Sequence, residues 1–104
     1  MTDFFLKAGD TSPALEYTLQ PPVNLSGASV VFTCRRIHDG EPLVHRQPAE
    51  IVDEEIGIVR FDWPATITDP CRAAGEFEIT YADGAVETFP NHTYIEVEIT
   101  DDLG

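Results

Sequence analysis

The chain has 104 residues, and its 19 acidic side chains against 6 lysines and arginines give a formal net charge of −13. This length suits one domain, and a hydrophobic content of 42% with 10% aromatic residues argues against disorder. The charge excludes proteins that bind a nucleic acid backbone or an anionic membrane surface, because both of those partners are themselves negatively charged.

The amino terminus begins with a pair of adjacent aromatic residues, Phe4 and Phe5. In a strand their rings point to opposite faces, so one ring lies outside the core as a contact for another subunit, unless the terminus is frayed. The same segment lacks the basic start and apolar stretch of a signal peptide, and no run reaches the roughly 18–20 apolar residues of a membrane span. We therefore expect synthesis in a reducing cytoplasm, with Cys34 and Cys71 as buried free thiols rather than a disulfide.

Apolar residues at every second position predict half-buried antiparallel strands in residues 15–19, 28–36, 59–63, 76–81 and 94–99. The side chains predicted to face the core are Leu15, Tyr17, Leu19, Val30, Phe32, Cys34, Val59, Phe61, Trp63, Phe77, Ile79, Tyr81, Ile95, Val97 and Ile99. The acids at outward positions, which keep the exposed faces soluble, are Glu16, Asp62, Glu76, Glu78, Glu96 and Glu98.

Turn residues separate these strands at short intervals. Asp83-Gly84 predicts a hairpin whose central residues both favour positive φ, and Asp39-Gly40 predicts another that leads into a short strand over residues 43–46. Residues 64–74 are predicted to hold at most one helical turn. The pattern as a whole predicts an all-β protein, an immunoglobulin-like antiparallel β-sandwich of about seven to eight short strands, with residues 1–104 as a single domain.

Metal-ligating side chains are few. His38 and His45 flank the first hairpin, and Asp39 or Glu41 would have to complete a metal site with them, but the spacing of a known site is absent. The acidic run at residues 53–55 is predicted to be a solvated turn, because adjacent loop residues cannot all point at one ion. The sequence therefore predicts no metal and no other cofactor.

Groups that could carry catalysis are equally scarce. Cys34 faces inward and is predicted to be an inert core thiol, and no serine lies in the strand-to-helix context of a hydrolase nucleophile. Trp63 shares the inward face of its strand and is predicted to belong to the core. The alternative, an aromatic platform for a sugar, requires Trp63 or Tyr94 outside the core. We conclude that the chain is not an enzyme.

Several short motifs follow one another along the chain. They are Gly-Asp-Thr at 9–11, Val-Asn-Leu-Ser-Gly-Ala at 23–28, Gly-Ile-Val-Arg-Phe-Asp-Trp at 57–63, Gly-Glu-Phe-Glu-Ile-Thr-Tyr at 75–81 and Glu-Thr-Phe-Pro-Asn at 87–91. In this order the chain resembles the N-terminal domain of the phage baseplate upper protein family from about Phe5 to Ile99. The resemblance implies an immunoglobulin-like β-sandwich that serves as a building block of tailed-phage virions and has no catalytic residues.

The resemblance leads us to expect a non-enzymatic structural component of the virion, a tail or baseplate adaptor that contacts other virion proteins in a multi-copy symmetric assembly. The candidate contact residues are Phe4, Phe5, Arg35 and Arg36, since a basic pair on an acidic chain can dock an acidic neighbour. Outward Arg35 has a second interpretation, an ion pair with a glutamate on the adjacent strand. Two other functions stay open: a capsid-decorating or head-attached protein, and a module that binds host glycans.

Overall fold

The computed structural model describes residues 2–103, in which every regular element is a β-strand. The strands are β1 (Phe4–Lys7), β2 (Leu15–Thr18), β3 (Ser29–Arg36), β4 (Pro42–Pro48), β5 (Glu50–Asp53), β6 (Ile58–Phe61), β7 (Cys71–Thr80), β8 (Val86–Phe89) and β9 (Ile95–Thr100). Six of them form a large sheet in the order β1-β9-β7-β3-β4, with β8 also paired to β7, and β2-β6-β5 form a small sheet. The predicted all-β sandwich is confirmed. The described range contains no helix that is long and apolar enough to cross a membrane.

The core lies between the two sheets and follows the predicted alternation. Almost all of the side chains predicted to face inward are buried. The exceptions are Tyr17 and Tyr81, which are half-buried. The Tyr81 hydroxyl donates a hydrogen bond to Glu87 (2.8 Å). Burial together with this bond raises the pKa of Tyr81 to about 12.

Both predicted hairpins are confirmed, but the Asp83-Gly84 hairpin has a different turn from the predicted one. The Gly84 N–H donates to the Tyr81 carbonyl (2.9 Å) and the Tyr81 N–H donates to the Ala85 carbonyl (2.8 Å). These bonds define a three-residue loop in which Gly84 alone has positive φ (+90°). The expectation of positive φ at Asp83 as well was wrong, because this longer loop needs only one left-handed residue.

The predicted boundaries of β7 were wrong. Residues 64–70 contain no helical turn, and the strand begins at Cys71 rather than near residue 76. The early part of the strand is rich in small residues, so it carries no visible alternation. A Cβ atom built on Gly75 would lie 2.8 Å from Cζ of Phe32, so glycine leaves the space that the Phe32 ring occupies.

Strand β1 is docked, not frayed. It runs parallel to β9 with Phe4 opposite Val97, and the Phe4 ring stacks on Trp63 with 5.8 Å between ring centroids. Phe5 points the other way and is 62% exposed. The prediction that one of the two rings lies outside the core is confirmed.

Glu96 departs from the prediction that outward acids are exposed, since only 8% of it is accessible. Its carboxylate accepts hydrogen bonds from Arg72 and from the Thr2 hydroxyl, and its backbone N–H donates to Asp3. The hydrogen bond from Arg72 is the main cause that lowers the pKa of Glu96. The charge therefore helps to hold the start of the chain against β9.

Replacing Glu96 with glutamine is expected to weaken the dependence of stability on acid pH. The folded-state pKa of the carboxyl lies below its unfolded value, so Glu96 stabilises the fold above the unfolded pKa. That contribution disappears as the pH falls through the folded pKa. Chemical denaturation of both proteins between about pH 6 and pH 3 measures the difference.

The matched control is Glu16→Gln, which removes one carboxylate from an exposed position on β2. It accounts for the change in net charge alone. If Glu96→Gln and the parent protein lost stability equally on acidification, Glu96 would have no part in the acid response.

Candidate functional site

A polar groove of about 470 Å³ lies on the outer face of the large sheet. Its lining comes from three adjacent strands and from the segment before β9. On β3 and β7, Thr33 stands opposite Glu76 and Arg35 opposite Ala74. Tyr94 belongs to the segment before β9. The remaining lining residues are His45, Arg46, Glu78 and Thr93.

A β-bulge in β4 gives the groove two neighbouring basic side chains. Phe32 pairs with Gln47 and Cys34 with Val44, so His45 and Arg46 together oppose Thr33. Arg46 has a φ of +48°, and its N–H donates to the Thr33 hydroxyl (3.2 Å). In a regular strand consecutive side chains point to opposite faces. The bulge instead allows both His45 and Arg46 to line the same groove.

The charged groups of the groove are only partly paired. Arg46 forms an ion pair with Glu78 at 2.7 Å. The side chains of Arg35 and Glu76 have no hydrogen-bond or ion-pair partner within residues 2–103. The interpretation of Arg35 as one half of a cross-strand ion pair is therefore not observed, since its neighbour on β7 is Ala74.

The two candidate platform aromatics lie in different environments. Trp63 is 2% exposed and packs edge-on against Phe61 (5.3 Å) and Phe32 (5.6 Å), which confirms the core prediction. Its indole Nε1 has no hydrogen-bond partner among the described residues. A buried N–H group without a hydrogen bond lowers the stability of the fold by about 1–3 kcal/mol, and the packing of the indole ring offsets that loss. Tyr94 is 42% exposed and borders the groove.

The candidate basic pair does not form one patch. Arg35 is exposed on the outer face, while Arg36 follows the inward parity of its strand. Arg36 makes two hydrogen bonds to Asp39 across the hairpin, at 2.8 and 2.9 Å. These bonds hold the pKa of Asp39 well below its usual range. Of these two arginines, Arg35 is therefore the one available to a ligand on the outer face.

The two histidines are also separated. His45 lines the groove, whereas His38 borders a second depression of about 490 Å³ at the end of the sandwich, beside Cys71. No three histidine, cysteine or acidic side chains within the described range are placed to hold a metal ion. The fold therefore does not assemble the metal site considered for this hairpin.

Both cysteines are free thiols. Cys34 is buried opposite Gly75 in register, and burial raises its pKa to about 12. Cys71 is half-buried rather than buried, and it stands opposite Ile99 at the start of β7. A thiol with so high a pKa is not a nucleophile at neutral pH, which agrees with an inert core role for Cys34.

Sequence reasoning identified Arg35 and Tyr94 separately but not the groove that contains both. The missing signal is the bulge, which usually carries glycine at its left-handed position. Here that position is Arg46, so the residue type gave no indication of the local conformation.

No family model matches the chain, and no curated protein matches it. Among solved structures, the chain is similar to CopC from Methylosinus trichosporium OB3b, with a TM-score of 0.57 and 12% sequence identity. The match covers 100% of this chain and 89% of that one. At this identity the likeness shows a shared β fold and nothing about function.

Proposed function

We propose that the protein is a non-enzymatic structural component of a tailed-phage or phage-like particle, a tail or baseplate adaptor that acts by protein–protein contact. The resemblance of its ordered motifs to the baseplate upper protein family supports a location at the tail or baseplate of the particle. The exposed aromatic ring of Phe5 supports the mode of action.

Phe5 is the observation that carries the contact function. Its ring is 62% exposed although the strand that bears it is docked along β9. Within the part of the chain that the structure describes, β9 is the neighbour of β1 and the other edge of β1 is unpaired. A rigid, exposed aromatic side chain on an open edge is suited to insertion into a partner surface, because little conformational entropy is lost on binding.

The charge of the chain defines the partner surface. With a net charge of −13, the adaptor docks on a more basic neighbour, and the attachment weakens as salt screens the charges. Many copies in a symmetric particle turn a weak single contact into stable attachment.

The test is to locate the protein in particles purified from the host that carries its gene. Quantitative mass spectrometry and cryo-electron microscopy with an antibody label are expected to find several symmetric copies at the tail tip. Label on the head would replace this proposal with the capsid-decorating alternative. Absence from washed particles would overturn both.

A matched pair of variants tests the contact itself. Phe5→Ser is expected to reduce the copies retained per particle by about tenfold or more, the size of effect that a central interface residue produces. Val86→Ser changes a side chain of similar exposure (60%) on β8 and is expected to leave retention unchanged. Equal retention of the two variants would contradict the role of Phe5.

A further inference from the structure

We infer that the polar groove on the outer face of the large sheet is a binding site for a neutral saccharide. The side chains of this groove differ from those of the Phe5 contact. Saccharide binding can therefore be tested independently of the proposed role in a particle.

The construction of the groove supports a role in ligand binding. The bulge places His45 and Arg46 side by side on one face, and it does so with Arg46 at a φ of +48°. Residues other than glycine rarely adopt such a conformation, and they are found preferentially where a side chain has a function. Within residues 2–103, Arg46 is the non-glycine residue with a positive φ, and it lies in the wall of this groove.

The charges that line the groove favour an uncharged ligand. Arg46 forms an ion pair with Glu78 (2.7 Å), and Arg35 shares the groove with Glu76, neither side chain having an ion-pair partner among the described residues. Two arginines and two glutamates line the site together with His45, so the fixed charges balance and neither an anion nor a cation is favoured. An uncharged ligand that carries hydroxyl groups uses both kinds, because a hydroxyl accepts from a guanidinium and donates to a carboxylate.

An aromatic side chain, Tyr94, forms part of the groove wall. Tyr94 is 42% exposed at the groove and offers a flat apolar face against which the C–H side of a sugar ring can pack. The hydroxyls of Thr33 and Thr93 add further donors and acceptors. The volume of about 470 Å³ lies within the range of small-ligand sites.

A protein segment suits this groove less well. The core of a protein interface is enriched in large apolar and aromatic residues, and among the lining residues only Ala74 and Tyr94 carry an apolar side chain or an aromatic ring without charge or imidazole. The other side chains that could contact a ligand are arginines, glutamates, threonines and His45.

The experiment screens the fluorescently labelled chain against a printed array of neutral and acidic glycans, followed by isothermal titration with the neutral oligosaccharide that gives the strongest signal. Binding to neutral glycans is expected, and raising the salt from about 0.15 M to 0.5 M is expected to leave the affinity nearly unchanged, because the ligand carries no charge to screen.

Four variants locate the site. Tyr94→Ala and Arg35→Ala are each expected to weaken binding about tenfold or more, and Tyr94→Phe, which keeps the ring, by about threefold or less. Arg46→Gly removes the guanidinium at a φ that glycine tolerates, so it is expected to weaken binding while the thermal midpoint is retained. Phe5→Ala is the control, an exposed aromatic outside the groove that is expected to bind like the parent.

Three results would overturn the inference: no binding to any neutral glycan, a preference for acidic glycans that weakens with salt, or full affinity in a folded Tyr94→Ala protein. Docking of another particle protein in the groove, detected by its loss in Tyr94→Ala particles, would also overturn it. Phe5→Ser affects only the particle contact, so failure of one proposal is distinguishable from failure of the other.

Discussion

Replacing Phe32 with alanine is expected to lower the free energy of unfolding by about 3–5 kcal/mol. Phe32 is fully buried, and its ring centroid lies 4.5 Å from that of Phe61, 4.8 Å from Phe77 and 5.6 Å from Trp63. Because Phe61 belongs to the small sheet and Phe77 to the large one, the ring joins the two layers. Its removal takes contacts from both and leaves a cavity that a tightly paired sheet cannot close.

Urea denaturation at neutral pH measures this effect, and Phe5→Ala is the matched control. The same chemical change at an exposed ring is expected to alter the free energy of unfolding by about 0.5 kcal/mol or less. A loss below about 1 kcal/mol for Phe32→Ala would mean that the two sheets repack around the missing ring.

Replacing Gly57 with alanine is expected to cost about 2–4 kcal/mol, from two separate causes. Gly57 has a φ of +90°, and an added Cβ would lie 2.8 Å from the backbone oxygen of Val23. The same glycine accepts a hydrogen bond from the Leu19 N–H and donates one to the Asp53 carbonyl. The clash with backbone therefore cannot be relieved by rotating a side chain.

Gly84→Ala separates the two causes. Gly84 has the same φ of +90°, but nothing lies within 4 Å of a Cβ built on it. This variant is expected to show the conformational strain alone, about 1 kcal/mol. Denaturant unfolding measures the free energy of unfolding of both variants. The difference between their losses gives the cost of the contact between the added Cβ and the Val23 backbone. Equal losses would show that Val23 moves aside without cost.

The two proposed surfaces share the outer face of the large sheet. Phe5 stands opposite Glu98 on β9, and Glu98 stands opposite Arg72 on β7, so all three side chains point away from the core. The groove occupies the same face further along the sheet, around Arg35. The proposed protein contact at Phe5 is expected to be sensitive to salt and the proposed saccharide site to be insensitive, so the two can be measured independently on one molecule.

Prediction from sequence succeeded where the signal is local and regular. The alternation around Phe32 and Phe61 gave the strands and their buried faces, and glycine in the Asp83-Gly84 pair marked the hairpin. It failed at the start of β7, where small residues such as Gly75 carry no alternating pattern. It also failed at Glu96, whose burial comes from Arg72 and the amino-terminal residues that cover it.

The sequence by itself determined that this is an acidic β protein with an aromatic core, because a period of two in hydrophobicity gives each strand one apolar face that must be buried against a second layer. Only the tertiary structure decided which polar side chains meet. Arg35 and Arg36 are adjacent in sequence but separated by the pleat, whereas Arg35, Arg46 and Tyr94 are distant in sequence and line one groove. The strand register and a bulge that contains no glycine bring these side chains together. Both features depend on pairing across the sheet rather than on neighbours in the chain.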